Sequence, residues 1–277
     1  MTRRVRGAAL LLVMWLLVLL TGVVAVFALG ARTEALQSRS LERSAIARYA
    51  AEAGLDVAML RVLTPDVMQR WVPDGRSNVF QFEGYRIEVS VLDETGKVDI
   101  NLAPPDLLVN LMLSLGFDQA KAGRLAAAIV DWRDPDDLLS AADGAEDPQY
   151  ESAKRPYGAK DRPYETTSEL QQVLGIDEAS YKVLAPHVTV FTGLARPNPA
   201  FASEPVLRAL GLGEPQVAQI LAQRRAWQPG LPAPTLPDGT VLSAQGSGTY
   251  SVSSLASRSD GTQARVNAIL RQGGGGA

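Results

Sequence analysis

The chemistry available to this chain is concentrated in carboxylates. From Asp131 to Glu151 it reads Asp-Trp-Arg-Asp-Pro-Asp-Asp-Leu-Leu-Ser-Ala-Ala-Asp-Gly-Ala-Glu-Asp-Pro-Gln-Tyr-Glu, with Arg133 as the lone cation. So many like charges in a short stretch repel one another unless they are solvated or neutralised. A hard cation that accepts six to eight oxygens would neutralise them, and calcium tolerates an irregular loop better than magnesium does. The spacing is not that of an EF-hand, so the signal is compositional, and a plainly solvated acidic loop is the alternative. Hydrolysis by a pair such as Asp134 and Asp137 finds no nucleophile, glycine cradle or histidine nearby. The single histidine, His187, lies between Pro186 and a β-like run and is read as structural. With no cysteine, the chain has no disulfide, no thiol catalysis and no cysteine-bound zinc.

The bulk composition is that of a folded protein: 277 residues, 46% hydrophobic and 21% charged, with a formal net charge of −3. Arg3, Arg4 and Arg6 all precede the long apolar run, so the remainder is more acidic than the total suggests. That balance argues against a nucleic-acid surface of the usual basic kind.

The elements that must position the acidic stretch begin with a stalk. Ala8 to Leu29 is uncharged and apolar, long enough at about 1.5 Å per residue to cross a hydrocarbon core. The arginines before it place the N-terminus in the cytoplasm and the rest of the chain across the membrane. A cleavable signal peptide, cut near Ala28-Leu29-Gly30, fits less well, because the run is too long and the helical pattern continues past it. Beyond Arg32, Leu41, Ala45, Tyr49, Ala53 and Val57 recur every fourth position as an apolar face, and Arg48 and Glu52 form an i,i+4 pair. No proline occurs before Pro65, so one helix is expected from the membrane to about Leu63.

After a turn at Val72-Pro73-Asp74-Gly75, strands are expected at Phe80 to Phe82 and, from strict alternation, at Tyr85 to Val91. Asp93 to Gly96 turns the chain, and Lys97 to Asn101 begins a return strand. Later strands are expected at Val188 to Thr192, Thr249 to Ser254 and Gln263 to Arg271. Between them lies a helical insertion, with helices from Pro104–Pro105 to Leu115, from about Asp118 to Arg133, near Ser168 to Leu174, and from Asp177 to Leu184. Leu115-Gly116-Phe117-Asp118, Leu174-Gly175-Ile176-Asp177 and Leu210-Gly211-Leu212-Gly213 form a weak repeat, each joining two helical patterns through a glycine suited to a left-handed cap. Such hairpins resemble SAM-like and helix-hairpin-helix modules, some of which bind DNA backbone, so a membrane-tethered DNA-binding protein of the competence type is the alternative function. The acidic surroundings of the hairpins count against it.

A short basic leader ending in glycine, followed at once by an apolar helix, resembles the type IV pilin and pseudopilin class. That resemblance implies cleavage by a prepilin peptidase between Gly7 and Ala8. Most of the class carry glutamate at the fifth mature position; here it is Leu12, as expected of a subunit at the end of a fibre. Asp93 to Ala103, Asp131 to Asp137, Gly144 to Asp147, Arg155 to Tyr157 and Pro163 to Leu170 together resemble the K-type minor pseudopilins of the type II secretion system. The likeness is weakest after Arg196, where Arg-Pro-Asn-Pro-Ala stands in place of an Asn-x-Asn-x-Ala pattern like that of Asn101 to Ala103.

The resemblance implies an α+β fold, with a pilin-like helix packed on a small antiparallel sheet and a large α-helical domain inserted. Its parts are a leader (1–7), a transmembrane and stalk helix (8–64), the first part of the β domain (65–101), the inserted α-domain (102–187), a returning strand (188–195), a second hairpin unit (196–228), a Pro/Gly-rich loop (229–248), C-terminal strands (249–272) and a tail (273–277). It implies a non-enzymatic subunit at the tip of the periplasmic pseudopilus, partnered by I-type and J-type minor pseudopilins and the other pseudopilins of the fibre. It also implies calcium in the inserted domain, with Asp134, Asp136, Asp137, Asp143, Glu146 and Asp147 as candidate ligands.

Overall fold

A computed structural model describes residues 8–235, 241–242 and 246–272. Helix α1 runs without a break from Ala8 to Leu63 and stops before Pro65. Its distal third packs on a sheet through Ala47, Ala50, Ala51, Gly54, Ala58 and Val62. The face expected to be apolar, Leu41-Ala45-Tyr49-Ala53-Val57, is not the packed one: Leu41 is 72% and Tyr49 70% exposed. Distance of approach decides this. A Cβ at Gly54 would collide with Ser254 Oγ, so the sheet takes the face with the smallest side chains and leaves the larger ones outside.

The sheet has four antiparallel strands in the order β1-β2-β5-β6: β1 is Asp74–Phe82, β2 Tyr85–Asp93, β5 Thr249–Ser257 and β6 Gln263–Arg271. Strand β1 is longer than its sequence suggested, because Asp74 already pairs with Leu92 across an irregular register. Glu83 and Gly84, with φ of 47° and 77°, make the two-residue turn that closes the β1–β2 hairpin. The alternation in β2 and β6 sorts as its period requires: Tyr85, Ile87, Val89 and Val91 are buried beneath α1, with Ala264, Val266 and Leu270 packed beside them.

Two expected strands belong elsewhere. Lys97 to Asn101 contributes only β3, Val98–Asp99, and the expected return across 188–195 contributes only β4, Val188–Thr189. They pair with each other, in parallel, as a separate two-stranded sheet. Asp99 prevents a longer strand, since its Oδ2 accepts hydrogen bonds from Thr192 N, Thr192 Oγ1 and Gly193 N and curls that segment around itself. The ladder marks where the insertion leaves and re-enters.

Between and beyond β3 and β4 lie α2 (Pro105–Ser114), α3 (Gln119–Arg133), α4 (Asp147–Ser152), α5 (Glu178–Leu184), α6 (Glu204–Ala209) and α7 (Glu214–Ala226). Gly116, Gly175 and Gly211 sit at φ of 89°, 88° and 86°, the left-handed junctions that the repeat anticipated. The hairpins α2–α3 and α6–α7 share one hydrophobic core, from Val98 through Leu108, Trp132 and Leu207 to Leu242. The residues at 196–228 are therefore packed into the same body as the first hairpin. The second repeat also begins where the Asn pattern did not place it. Asp99 Oδ1 accepts from Asn101 N while its carbonyl accepts from Leu102 N and Ala103 N; Asn198 accepts in the same way from Ala200 N, Phe201 N and Ala202 N. By hydrogen-bond register, Asn198 corresponds to Asp99.

The Asp-Glu-Thr-Gly-Lys segment fastens this body to the sheet. Glu94 is 1% exposed; it takes Lys97 Nζ at 2.6 Å and Ser251 Oγ from β5 on one oxygen, and Thr189 Oγ1 from β4 on the other. A second fastening joins β1 to α7, where Arg76, held by Asp74, donates to the carbonyls of Arg224 and Trp227.

Candidate functional site

The acidic stretch is not a single loop. It starts in the last turn of α3, crosses an irregular segment and ends in α4. Asp131, fully buried, staples the segment back: its Oδ1 accepts from Ser140 N at 2.9 Å and its Oδ2 from Ala145 N at 2.7 Å. That closure requires glycine at 144, where a Cβ would strike Asp131 Oδ2. Asp147 Oδ1 likewise takes Ala159 N at 3.1 Å, close over Gly158. Beneath lies an aromatic floor, with Trp132 against Tyr150, Tyr157 and Tyr164 at ring separations of 5.9, 6.3 and 6.4 Å. The Arg-Pro-Tyr and Pro-Tyr-Glu-Thr-Thr-Ser-Glu-Leu segments supply two of these rings, and Asn101 holds the second by exchanging hydrogen bonds with the backbone of Tyr164.

Charge in this cluster is only partly compensated, by the fields of Arg133 at Asp134 and Arg162 at Asp161. Arg133 points away and donates to the carbonyls of Ile100 and Ala103. Asp134 Oδ1, Glu146 Oε1 and Asp161 Oδ1 are buried with no hydrogen-bond partner. Burial first, and then the field of Asp131, Asp134 and Asp161, pushes the Glu146 carboxyl up to about 8. Asp134 is raised by burial and by Asp131 and Asp136, and Asp161 by burial and by Asp147 and Asp137. Buried carboxylate oxygens without donors, in the field of other carboxylates, are costly in the charged form. A bound cation relieves both deficits, and every available donor is a hard oxygen of the kind calcium prefers. Among the described residues no group of three or more acidic or histidine side chains is already gathered tightly enough to hold a metal.

The six candidates are thus placed unequally. Asp134 and Glu146 face the partly compensated region. Asp136 turns back on its own segment and accepts from Leu138 N, while Asp137 and Asp143 are exposed and Asp147 is engaged by Ala159 N. Asp131 and Asp161 belong to the cluster but were not among the candidates. Asp161 follows the acidic run and lies between Lys160 and Arg162, where a local count of charge sees nothing; its positive φ of 52° is a tertiary feature without a sequence signal.

His187 Nδ1 lies 2.8 Å from Ser203 Oγ at the start of α6, and burial lowers its affinity for a proton. The stalk is apolar, with mean hydropathy 2.9 over its best window, long enough by length and composition to cross a membrane. Gly7 lies outside the described residues; Ala8 opens the helix, and Leu12 is 70% exposed on it.

Residues 86–193 match the family model for type II secretion system (T2SS) protein K. The chain is 29% identical over 213 residues to type II secretion system protein K of Pectobacterium carotovorum subsp. carotovorum, covering 68% of this chain and 63% of that protein. With the protein of the same name from Pseudomonas aeruginosa it is 30% identical over 152 residues, covering 52% and 45%. With that of Klebsiella pneumoniae it is 27% identical over 211 residues, covering 68% and 63%. The matched stretches thus span less than two thirds of each relative. Among solved structures, a chain of the GspK-GspI-GspJ complex from the enterotoxigenic Escherichia coli type 2 secretion system superposes with a TM-score of 0.53 at 20% identity, covering 88% of this chain and 94% of that one, which is a likeness of fold.

Proposed function

We propose, from the membership of residues 86–193 in the type II secretion system protein K family, that this chain is a minor pseudopilin that caps the tip of the secretion pseudopilus and supports protein export. The observation that carries the reading is the family's domain borne on a 56-residue helix whose large side chains, Leu36, Leu41, Ile46, Tyr49 and Leu60 among them, have no cover. Stalks of neighbouring pseudopilins would supply it. The stalk crosses the inner membrane with the N-terminus cytoplasmic and the head periplasmic, following the arginine asymmetry. A prepilin peptidase cuts between Gly7 and Ala8. Leu12, lacking the carboxylate that would pair with a neighbour's amine, suits a terminal subunit, and a head broader than its stalk hinders addition of another subunit above it. The working partners are an I-type and a J-type minor pseudopilin, and the role is assembly without catalysis.

Calcium is proposed at the acidic cluster, held by Asp134 and Glu146, two of the six candidate ligands, together with Asp161, and drawing on Asp131 for charge. The cation would neutralise the cluster and fix the segment from α3 to α4; it has no step to catalyse. The helix hairpins are read as SAM-like assembly modules. DNA binding through the helix N-termini is disfavoured at α3 and α5, where the capping carboxylates of Asp118 and Asp177 accept from Lys121 N and Ser180 N and place negative charge where a phosphate would sit.

N-terminal sequencing of the mature protein tests the assignment: a start at Ala8, abolished by replacing Gly7, supports it, and a start at Ala31 or Arg32 refutes it. Co-purification of the chain with the I-type and J-type subunits of the same system tests the partners.

A further inference from the structure

Among the described residues the four-stranded sheet ends in β1 on one side and β6 on the other, and the two edges are unlike. Strand β1 is closed at its start: its register slips between Asp74 and Ser77, Gly75 stands at φ of 87°, and Arg76 donates to the carbonyls of Arg224 and Trp227 at the end of α7. Strand β6 pairs with β5 from Gln263 to Arg271 without a slip and holds no proline. A long, regular edge of that kind is a template for a further strand, and proteins usually interrupt it.

The phase of the β6 edge is fixed. Flanking the ladder, Arg258 N donates to Thr262 O at 2.9 Å and Gln272 N to Gly248 O at 2.7 Å, so the even-numbered residues of β6 turn their backbone groups to β5. The N–H and C=O groups of Gln263, Arg265, Asn267, Ile269 and Arg271 therefore point off the sheet. Their side chains are exposed and include two arginines and no carboxylate. Beside them β5 offers Ser251, Ser253, Leu255 and Ser257 in the same row, with Arg265 Nη1 at 3.1 Å from Ser253 Oγ, so the neighbouring strand supplies no counter-charge. The described part of the connection from α7 to β5 is held on the helical body, where Leu242 joins the core and donates its N–H to Pro234 O. Gly273 to Ala277 bring no acidic side chain.

We propose that the outward edge of β6 takes the first edge strand of a neighbouring pilin-like subunit, antiparallel, with a carboxylate of that strand on Arg265; the inference rests on the minor-pseudopilin reading. Strand direction assigns the occupant. Successive strands in the order β1-β2-β5-β6 alternate in direction, so β1 and β6 run oppositely. A neighbour of the same fold, with its stalk parallel and its sheet facing the same way, therefore brings its first strand to β6 antiparallel. The two arginines of the row call for acidic side chains across from them. A second copy pairing β6 with β6 antiparallel does not fit: the twofold axis of such a pair is perpendicular to the sheet and points the two stalks in opposite directions, and one membrane cannot anchor both. A second copy offering its β1 has the start of that strand tied to α7.

The chain has no cysteine, so an introduced one reports the contact. Asn267→Cys in the detergent-solubilised full-length chain, co-purified with the I-type and J-type subunits of its system, is scanned under mild oxidation against single cysteines along the first strand of each partner's sheet. One partner forms a disulfide-linked heterodimer at positions two residues apart, and Gln81→Cys, on the β1 edge, forms none. Asn267→Pro removes an N–H that β5 does not use, and lowers recovery of that partner about tenfold or more while the melting temperature stays unchanged. Arg265→Glu keeps every backbone group and also lowers recovery, so it stands in if the proline disturbs β6. The site is overturned if the chain recovers its partner yet links at no strand position, links from Gln81→Cys instead, or links only to its own copy. Full recovery by both Asn267→Pro and Arg265→Glu overturns it too. Recovery of neither subunit by the unaltered chain overturns the minor-pseudopilin reading, and the site with it.

Discussion

Arg133 and Arg224 perform the same task in the two helix hairpins. Arg133, at the end of α3, donates to the carbonyls of Ile100 and Ala103; Arg224, in the last turn of α7, donates to those of Pro199 and Ala202. In each case the acceptors are the first and fourth residues after Asp99 or Asn198, the residue that nucleates the turn into the hairpin's first helix. Each guanidinium thus ties the second helix to the turn before the first. Replacing either by methionine keeps most of the stem and strands two carbonyls, and is expected to cost about 3 kcal/mol. Lysine, lacking the fork, recovers only part of it. Thermal unfolding of the four single variants checks this.

The Glu94–Lys97 pair gives a second expectation. Glu94→Ala leaves an ammonium in a nearly closed site beside Ser251, a loss of roughly 3–5 kcal/mol. Replacing both residues by methionine removes the charges together and costs much less. The double variant melting closer to the wild type than Glu94→Ala is the expected order in denaturant titration.

Contact between Gly54 and Ser254 predicts a coupling between two substitutions. Gly54→Ala alone drives a methyl into Ser254 Oγ and costs about 1–3 kcal/mol. Ser254→Ala removes a buried hydroxyl that has no partner and is expected to be neutral or stabilising. A thermodynamic cycle should show non-additivity, with Gly54→Ala destabilising more on the wild-type background than beside Ser254→Gly.

Protonation of Glu146 sets a pH dependence whose direction is fixed. Its folded value, about 8, lies above the ordinary 4.5, so the folded state holds the proton more tightly. Its contribution to stability is complete below about 4.5 and is lost as pH rises through 8. In chelator the melting temperature should fall across that interval, and Glu146→Gln should flatten the fall. If calcium occupies the cluster, saturating calcium raises the melting temperature most at the alkaline end. Equal curves with and without calcium would leave the cluster without its cation.

Terbium offers a direct readout, because Trp132 underlies the cluster and can sensitise a bound lanthanide. Asp161→Asn should weaken the luminescence titration about as much as Asp134→Asn does, whereas Asp143→Asn, at an exposed position, should leave it unchanged.

Local patterns were the legible part of this chain. The period-two alternation of Tyr85 to Val91, the glycines at 116, 175 and 211, and the proline-free run to Leu63 each act within a few residues, and each shaped the structure as read. The packed face of α1 was hidden because it is chosen by how closely a sheet can approach, which favours Ala51, Gly54 and Ala58 over the larger Leu41 and Tyr49. Strands β3 and β4 were misassigned because two-residue ladders carry no period, and their partners are set by Asp99 gathering Thr192 and Gly193. In the acidic cluster, composition located the region, but Asp161 enters only through the fold.

The parallel ladder of Val98–Asp99 with Val188–Thr189 sets the two ends of the insertion side by side, at the spacing of neighbouring strands. The segment from Ile100 to His187 therefore leaves and returns at one place, while the rest of the helical body, with α6 and α7, lies on the connection from β4 to β5. Loop-closure cost grows only slowly with length, and here the ladder bears it. Residues can be added or removed between the two strands of that ladder without shifting the register of β2 against β5, so the length of this helical segment and the pairing of the sheet are free to evolve separately.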